Sequence, residues 1–212
     1  MKLTEILKSI FPSLRIPRDW DLTQEEGEFL YELARGLKKE STILEIGCRN
    51  GASTLAIAKG ARKSLSEVYS IAAMTAKPVS ELKDTFWRLR FPNVNILPPN
   101  FSASQWEEHL PINLFYVNTP NGIADYVLWE KFLAKNAVIA YHDTCWPRDG
   151  NKETTEQVID LIQRVHGKLV QSVDSITSFT LPGCLDKYYE SLRRKNPFTQ
   201  KNPIDSSESL SV

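Results

Sequence analysis

Short apolar segments alternate with longer amphipathic ones along most of the chain, and this alternation strongly constrains the fold. Runs with the length of buried strands lie at 42–46, 68–72, 94–97, 114–117 and 137–141. Amphipathic segments at 52–61, 79–91, 104–109, 124–134 and 154–165 predict helices between and after them. Strands joined through helices run parallel and are covered on both faces. The sequence therefore predicts an α/β fold with a doubly wound, mostly parallel, Rossmann-like sheet. Two further runs, 169–173 and 178–181, predict an antiparallel C-terminal hairpin.

The flanks of this pattern suggest a division into three parts. Residues 1–40 are expected to form a helical preface, residues 41–183 the α/β domain, and residues 184–212 a C-terminal helix and a disordered tail. Within the preface, Thr23 and Glu26 form a T-x-x-E capping box that predicts a helix start. Nearer the N-terminus, apolar residues recur at helical spacing, at Leu3, Ile6, Leu7 and Ile10. This stripe predicts a helix docked on the domain or on a second copy in a homodimer, with a membrane-surface helix as the alternative.

Composition argues against several classes of function. Lys plus Arg and Asp plus Glu number 26 each, so the formal net charge is zero and nucleic acid is not an expected partner. The three cysteines, Cys48, Cys145 and Cys184, form neither a disulfide framework nor a CxxC pair, which favours a cytoplasmic location. No apolar run in the sequence has the length of a transmembrane segment, and the charged N-terminus does not resemble a signal peptide.

The most informative segment follows the first predicted strand. It has the pattern E-x-G-x-x-x-G-x-S, formed by Glu45, Gly47, Gly51 and Ser53, and it leads into a predicted helix. Backbone without a Cβ atom can approach a ligand closely, and the free amides of a helix start point into the same crevice. The carboxylate of Glu45 is expected to take up an ammonium group. The spacing differs from the G-x-G-x-x-G of dinucleotide-binding folds.

This segment resembles motif I of class I S-adenosylmethionine methyltransferases. The order of elements over about 41–181 is similar to that of small O-methyltransferase-like domains, and V-I-A-Y-H-D-T at 138–144 is similar to their fifth strand, which ends in His-Asp. The resemblance implies S-adenosyl-L-methionine as the cofactor and a small hydroxylated molecule as the methyl acceptor. The residues that it places at the cofactor are Glu45, Gly47, Cys48, Gly51, Ser53, Ala72, Ser102 and Asn118.

The chain departs from this family pattern at two of those positions. The family has an acid after strand two that holds the ribose hydroxyls, where this chain has Ala72. An acid after strand four often lies near a divalent metal in the family, and here Asn118 replaces it with a poorer ligand for a hard cation. We therefore expect little or no dependence on a divalent metal, and we expect Ala72→Asp to strengthen cofactor binding. Two functions stay open: an active O-methyltransferase, or a catalytically inactive binding or scaffolding protein of the same fold.

A polar pair, His142 and Asp143, remains at the end of the fifth predicted strand. His142 is the candidate general base for an acceptor hydroxyl, and Asp143 would orient it or bind a metal. Alternatively, His142 caps the next helix and Asp143 satisfies loop amides. Tyr141 and Trp146 are expected either to line an acceptor pocket or to belong to the core.

Two further assignments remain open. Ser102 is expected either to contact the adenine of the cofactor or to cap the helix that contains Trp106. A hydrolase that uses Cys48 or Ser53 with His142 and Asp143 is a weaker alternative, because the chain has no G-x-S-x-G nucleophile elbow.

Overall fold

The computed structural model describes residues 22–74, 77–106, 111–119, 122–142, 169–173 and 176–180. The helices in this part are α1 (Gln24–Arg35), α2 (Ala52–Ser64), α3 (Val79–Arg88) and α4 (Gly122–Trp129), and 3₁₀ turns span Ala103–Trp106 and Glu130–Phe132. The strands are β1 (Thr42–Cys48), β2 (Glu67–Ala72), β3 (Val94–Leu97), β4 (Ile112–Val117), β5 (Leu133–Tyr141), β6 (Leu169–Val173) and β7 (Ile176–Thr180).

All seven strands belong to one sheet with the order β3-β2-β1-β4-β5-β7-β6. Strands β1 to β5 pair in parallel, which confirms the predicted doubly wound, Rossmann-like α/β fold. Strand β7 pairs antiparallel with both β5 and β6. The strand order reverses between β1 and β4, and a crevice opens at the carboxyl ends of strands where the order reverses in such sheets. The topology therefore places the end of β1, the end of β4 and the start of α2 around one crevice.

Side chains alternate between the two faces of the sheet, and each face buries a separate apolar cluster. One cluster joins α1 and α2 to strand residues that include Ile43, Leu114 and Val138. The opposite cluster joins Leu44, Phe115 and Ile139 to aromatic residues outside the strands, which include Trp106, Tyr126 and Trp129. Apolar residues at neighbouring strand positions therefore serve opposite faces, which explains why the central strands are almost continuously apolar.

Helix α1 belongs to this core although it precedes the first strand. Its N-terminus has the predicted capping box: the Glu26 amide donates to Thr23 Oγ1 at 3.2 Å, and the Thr23 amide donates to Glu26 Oε2 at 2.8 Å. Phe29, Leu30 and Leu33 are buried in the same cluster as the strands. The helix assigned from sequence to a preface therefore shares its core with the α/β domain.

The predicted helix at 124–134 was wrong in its second half. Helix α4 ends at Trp129, a 3₁₀ turn follows, and β5 already begins at Leu133. The rings of Trp129 and Phe132 lie 6.0 Å apart in the core cluster, so tertiary packing turns the chain back toward the sheet. No glycine or proline marks this turn, and local sequence therefore could not place it.

Other expected elements lie wholly or partly outside the described residues. These are the N-terminal helix, the helix at 154–165, the C-terminal helix and tail, and the second half of the helix at 104–109, whose first half is a 3₁₀ turn. In the part of the chain that the structure describes, no helix has the length and apolarity needed to cross a bilayer.

Candidate functional site

The conformation of the glycine-rich turn between β1 and α2 requires glycine at both positions, whether or not a ligand is bound. Gly47 and Gly51 have φ values of 95° and 88°, in the left-handed region that favours glycine. A Cβ atom at Gly47 would lie 2.2 Å from the carbonyl oxygen of Asn118. One at Gly51 would lie 3.4 Å from the ring of Phe86 on α3. The turn can therefore approach the end of β4 closely only because Gly47 has no side chain, whereas at Gly51 the left-handed backbone is what favours glycine.

A small pocket lies directly at this turn. Its volume is about 20 Å³, and its lining residues are Leu22, Arg49, Asn50, Ala52, Ser53 and Asn118. That volume accepts roughly one water molecule, so these residues, which we call the crevice floor, enclose too little space to hold a cofactor by themselves. Ser53 and Asn118, two of the residues that the resemblance places at the cofactor, both line this pocket. Arg49 and Asn50 were missed, although their position between the two glycines could have identified them, whereas nothing local marks Leu22.

Glu45 lies below the pocket, between β1 and α2, with none of its surface exposed. Its carboxylate accepts three hydroxyl hydrogen bonds: a short one from Ser53, and bonds of 2.6 Å from Thr54 Oγ1 and from Ser70 Oγ. Burial raises the pKa of Glu45, and the three hydroxyl donors act in the opposite direction. Because these hydroxyls surround the carboxylate, the geometry does not support direct contact with an ammonium group in the crevice.

Cys48 ends β1 and is also fully buried. Its sulfur lies 3.1 Å from Thr54 Oγ1. Burial, and secondarily the charge of Glu45, raises the pKa of the Cys48 thiol. Since the thiolate is the nucleophilic form, this environment argues against a hydrolase that uses Cys48.

Ala72 ends β2 at the position where the resemblance implies a ribose-binding acid. Only 3% of its surface is exposed, and it belongs to an apolar cluster with Leu55, Leu82 and Phe86. The next residue, Ala73, donates its amide to the carbonyl oxygen of Cys48 at 2.8 Å, which holds the end of β2 against β1. The side chain of Ala72 therefore faces the core between α2 and α3.

The end of β4 brings a second carboxyl group close to the turn. Asn118 donates its amide to the carbonyl oxygen of Ile46 at 2.8 Å, and Thr119 donates a short hydrogen bond to Asp125 Oδ2. The methyl carbon of Thr119 lies 3.0 Å from the point where a Cβ of Gly47 would be. Burial raises the pKa of Asp125. Asp125 was missed in the sequence, where its position in the first turn of the helix after β4 was the available signal.

His142 follows β5 and points toward α1. Its Nε2 lies 3.6 Å from Glu26 Oε2, and the two side chains are only 6% and 3% exposed. The ring also packs edge-to-face on Tyr116, with centroids 6.5 Å apart. The predicted general base is thus held against the capping box of α1 instead of lying open to the crevice. Asp143 lies outside the described residues, as does Trp146.

Two other candidate residues, Tyr141 and Ser102, make contacts that belong to the fold itself. Tyr141 is buried in the core, where burial above all raises the pKa of its hydroxyl. Ser102 is exposed, and its amide donates to Gln105 Oε1 at 2.8 Å, so the glutamine side chain caps the backbone at the start of the 3₁₀ turn. Among the described residues, no three His, Cys, Asp or Glu side chains are grouped closely enough to hold a metal ion.

Solved structures share this architecture at low sequence identity. The O-methyltransferase from Bacillus cereus, in complex with SAH, is 20% identical with a TM-score of 0.62, over 82% of this chain and 88% of that one. The O-methyltransferase TomG from Streptomyces achromogenes, in complex with SAM, is 17% identical with a TM-score of 0.57, over 84% and 87%. A putative caffeoyl-CoA O-methyltransferase from Staphylococcus aureus is 15% identical with a TM-score of 0.59, over 86% and 93%. No family model matches the sequence, and no curated protein matches it.

These neighbours define the class of the fold. The described part of the chain has the Rossmann-like fold of these O-methyltransferase structures, as the resemblance of the glycine turn implied. At identities of 20% and below, the similarity establishes the fold and leaves the chemistry to the residues of the site.

Proposed function

We propose that this protein binds S-adenosyl-L-methionine over the turn between β1 and α2 and methylates a hydroxyl group of a small acceptor. The observation that carries the proposal is the crevice floor, where Ser53 from α2 and Asn118 from the end of β4 meet beside Arg49 and Asn50. This is the switch point of the sheet, where doubly wound folds bind their ligands. Solved structures of the same fold hold SAH or SAM.

The residues present suit one end of this cofactor better than the other. Ser53, Asn50 and Asn118 offer polar groups for its amino-acid end, next to the cation of Arg49. At the end of β2, the buried methyl group of Ala72 offers the ribose hydroxyls no acceptor. When bound, the cofactor would supply an electrophilic methyl group. The fit therefore predicts binding that depends mainly on the amino-acid end.

Removal of the acceptor proton is the step for which this chain must supply a base. His142 could serve only if its side chain turned away from Glu26, because it is now nearly inaccessible. Asp125 is half-buried beside the glycine turn, where its raised pKa would favour proton uptake. We retain His142 and Asp143 as the catalytic residues of the proposal and add Asp125 as a second candidate base.

A catalytically inactive binding or scaffolding protein is the second candidate function. Two observations favour it: Ala72 is enclosed in an apolar cluster, and His142 is packed against α1. Each of these residues stands at a position that the reaction would use, and each is buried in the folded core. This alternative keeps the glycine turn, so an inactive protein can still bind the cofactor. Turnover is therefore what distinguishes it from the transferase.

Calorimetric titration with S-adenosylhomocysteine and S-adenosylmethionine tests the shared part of the proposal. We expect saturable binding to a single site, and absence of binding at millimolar ligand would contradict the transferase and favour a scaffolding protein that binds no cofactor. Turnover is then measured as S-adenosylhomocysteine released from S-adenosylmethionine in the presence of catechols, phenols and hydroxylated sugars. Release above the acceptor-free rate supports the transferase, whereas binding without release across the panel favours the inactive protein.

The biological setting is also part of the proposal. A small-molecule acceptor without nucleic acid agrees with the zero net charge, and a cytoplasmic location agrees with the free, buried thiol of Cys48. A homodimer formed through the N-terminal helix is supported by the apolar stripe in the first ten residues.

A further inference from the structure

We propose that the edge of the sheet opposite the crevice binds the surface of an anionic lipid bilayer. This edge is formed by three segments, residues 36–41, 62–67 and 87–93, which connect the ends of α1, α2 and α3 to the amino ends of β1, β2 and β3. We call them the amino-edge patch. Because the crevice lies at the carboxyl ends of the strands, binding at this patch does not depend on the proposed function.

Hydrogen bonds hold the three segments of the amino-edge patch side by side. The Glu40 amide donates to the carbonyl oxygen of Ser64 at 3.0 Å, which joins the first segment to the second. The side chain of Asn93 donates to the carbonyl oxygen of Ser66 at 2.9 Å, which joins the second segment to the third. The patch is therefore one continuous surface, although its segments are separated in sequence.

The amino-edge patch is positively charged, whereas the chain as a whole is neutral. Its exposed charged residues are two acids, Glu40 and Glu67, and six bases, which are Lys38, Lys39, Arg62, Lys63, Arg88 and Arg90. Since the formal net charge of the chain is zero, the rest of the sequence has an excess of acids. The helix dipole accounts for bases in a last helical turn, but Lys38, Lys39 and Arg90 lie beyond the helices. A cluster of this size is typical of surfaces that bind anionic headgroups.

Three large apolar side chains are exposed in the same patch. Trp87 is 78% exposed, Leu65 63% and Leu89 45%. Apolar side chains among basic residues are the combination that enters the boundary between headgroups and acyl chains. Tryptophan suits this boundary because its ring is apolar and its N–H can donate a hydrogen bond. Nucleic acid would use the positive charge but offers the two leucines no apolar surface, so the leucines favour lipid.

The backbone of the patch gives independent support. Leu65 and Arg90 have φ values of 53° and 59°, in the left-handed region, and each follows the end of a helix. Glycine is the usual residue at such a position, because other side chains are disfavoured there. Both side chains are exposed, so the folded core gains little from them. Contact with a partner at the surface accounts for a leucine and an arginine where the fold itself would favour glycine.

This conformation provides variants that change the surface and spare the fold. We expect Leu65→Gly and Arg90→Gly to be at least as stable as the wild type, since glycine adopts a positive φ without steric cost. Glu40→Gly is the matched control, because Glu40 has a φ of 60° in the same patch but carries the opposite charge. Trp87→Ala removes the exposed ring from the last turn of α3. Thermal midpoints establish that each variant is folded.

The experiment measures sedimentation of the whole chain with sucrose-loaded vesicles of phosphatidylcholine, with and without phosphatidylserine. We expect saturable binding to the anionic vesicles and binding at least about tenfold weaker to phosphatidylcholine alone. Arg90→Gly should weaken binding to the anionic vesicles about fivefold, as the loss of one basic residue near the surface predicts. Leu65→Gly and Trp87→Ala should each weaken it by about tenfold. Glu40→Gly should bind as tightly as the wild type or more tightly.

Several outcomes would overturn the proposal. One is absence of binding to anionic vesicles at millimolar lipid, and another is binding that Leu65→Gly, Trp87→Ala and Arg90→Gly all leave unchanged. Equal weakening by Glu40→Gly would assign the effect to the backbone and not to the side chains of the patch. A single-stranded RNA oligonucleotide is the competing probe. If the chain binds RNA more tightly than vesicles, and only Arg90→Gly weakens binding, the patch is a nucleic-acid surface and the proposal fails.

Discussion

At the scale of single residues, the resemblance and the structure give opposite expectations for the substitution of Ala72 by an acid. Ala72→Asp would place a carboxylate in an apolar cluster where the alanine is 3% exposed. We expect the variant to unfold more easily, by about 2 kcal/mol or more at neutral pH, because burial of an unpaired polar or charged group is unfavourable. The loss should shrink toward pH 4.5, since protonation removes the buried charge.

Urea titrations of Ala72→Asp, with Ala72→Asn as the uncharged control, measure this difference at both pH values. Unchanged stability together with tighter binding of S-adenosylhomocysteine would contradict the expectation. That result would mean that the new carboxylate reaches the ribose, as the sequence alone predicted.

Glu45 gives a second residue-scale prediction, which concerns pH. Its folded pKa is raised above the ordinary value of 4.5. The stability that this group contributes is therefore fully present below pH 4.5 and is lost as the pH rises through the folded pKa. Relative to Glu45→Gln, which does not titrate at this position, the wild type should become less stable as the pH rises from 4.5 toward neutral. Parallel chemical denaturation of both proteins across this range measures the slope, and a difference that is constant or grows with pH would contradict the assignment.

At the scale of elements, the contact between α1 and α2 depends on Gly60. A Cβ atom there would lie 2.3 Å from the carbonyl oxygen of Tyr31 and 2.9 Å from the Cβ of Ala34, both on α1. Helix propensity alone would favour Gly60→Ala by roughly 1 kcal/mol, whereas overpacking of a close contact costs about 1–3 kcal/mol. We expect the clash to prevail and the thermal midpoint to fall. Lys63→Ala, at an exposed position of the same helix, should change the free energy of unfolding by less than about 0.5 kcal/mol. A stabilised Gly60→Ala would show that α1 can move aside.

The link between α1 and the end of β5 is testable with a double-mutant cycle. Glu26 serves the capping box and also lies 3.6 Å from His142 Nε2, with both side chains buried. We expect a coupling energy of about 0.5–3 kcal/mol between Glu26→Ala and His142→Ala, as for other residues in direct contact. The control cycle uses the exposed pair of Glu32 and Arg35, which should couple by less than about 1 kcal/mol. Equal coupling in the two cycles would show that the buried pair has no special role.

For the whole molecule, ligand and metal dependence can be measured together. A ligand at one hundred times its Kd stabilises a folded protein by about 2.7 kcal/mol, which corresponds to roughly 5–10 °C for a chain of this size. We expect S-adenosylhomocysteine to raise the thermal midpoint by this amount, with the same shift in EDTA and in millimolar magnesium. The reason is Asn118, a neutral side chain at the pocket where the resemblance implies an acid. A shift that EDTA abolishes would contradict metal-independent binding and would point to Asp143 as a ligand.

Much of the fold follows from sequence because the apolar pattern is local. The strand at 94–97 was predicted with its observed bounds, and the Thr23 capping box marked the start of α1. The end of α4 could not be predicted in this way, because the packing of Trp129 and Phe132 on the sheet determines it. The capping residues of α1 mark its start in the sequence, whereas tertiary packing determines where α4 ends.

The site was less predictable than the fold, because several of its contacts join residues that are far apart in sequence. Ser53 lines the pocket at the glycine turn, and its place there follows from its closeness in sequence to the two glycines. The contact of Ser70 with Glu45 spans 25 positions and depends on the register of β2 against β1. The pairing of His142 with Glu26 joins residues that are far apart in sequence. Sequence spacing identified polar residues at strand ends, but only the folded structure shows which of them face the crevice.

The burial of α1 has a consequence for how the molecule opens. Its apolar residues share one cluster with β1, β4 and β5, and Gly60 allows its backbone to lie directly against α2. A helix packed in this way has no separate core to unfold from, so its amide protons should exchange with solvent as slowly as those of the central strands. Fluctuations that admit a ligand are then not expected in α1. Leu22, two residues before this helix, lines the pocket, so the fixed position of α1 should hold that side of the pocket in place.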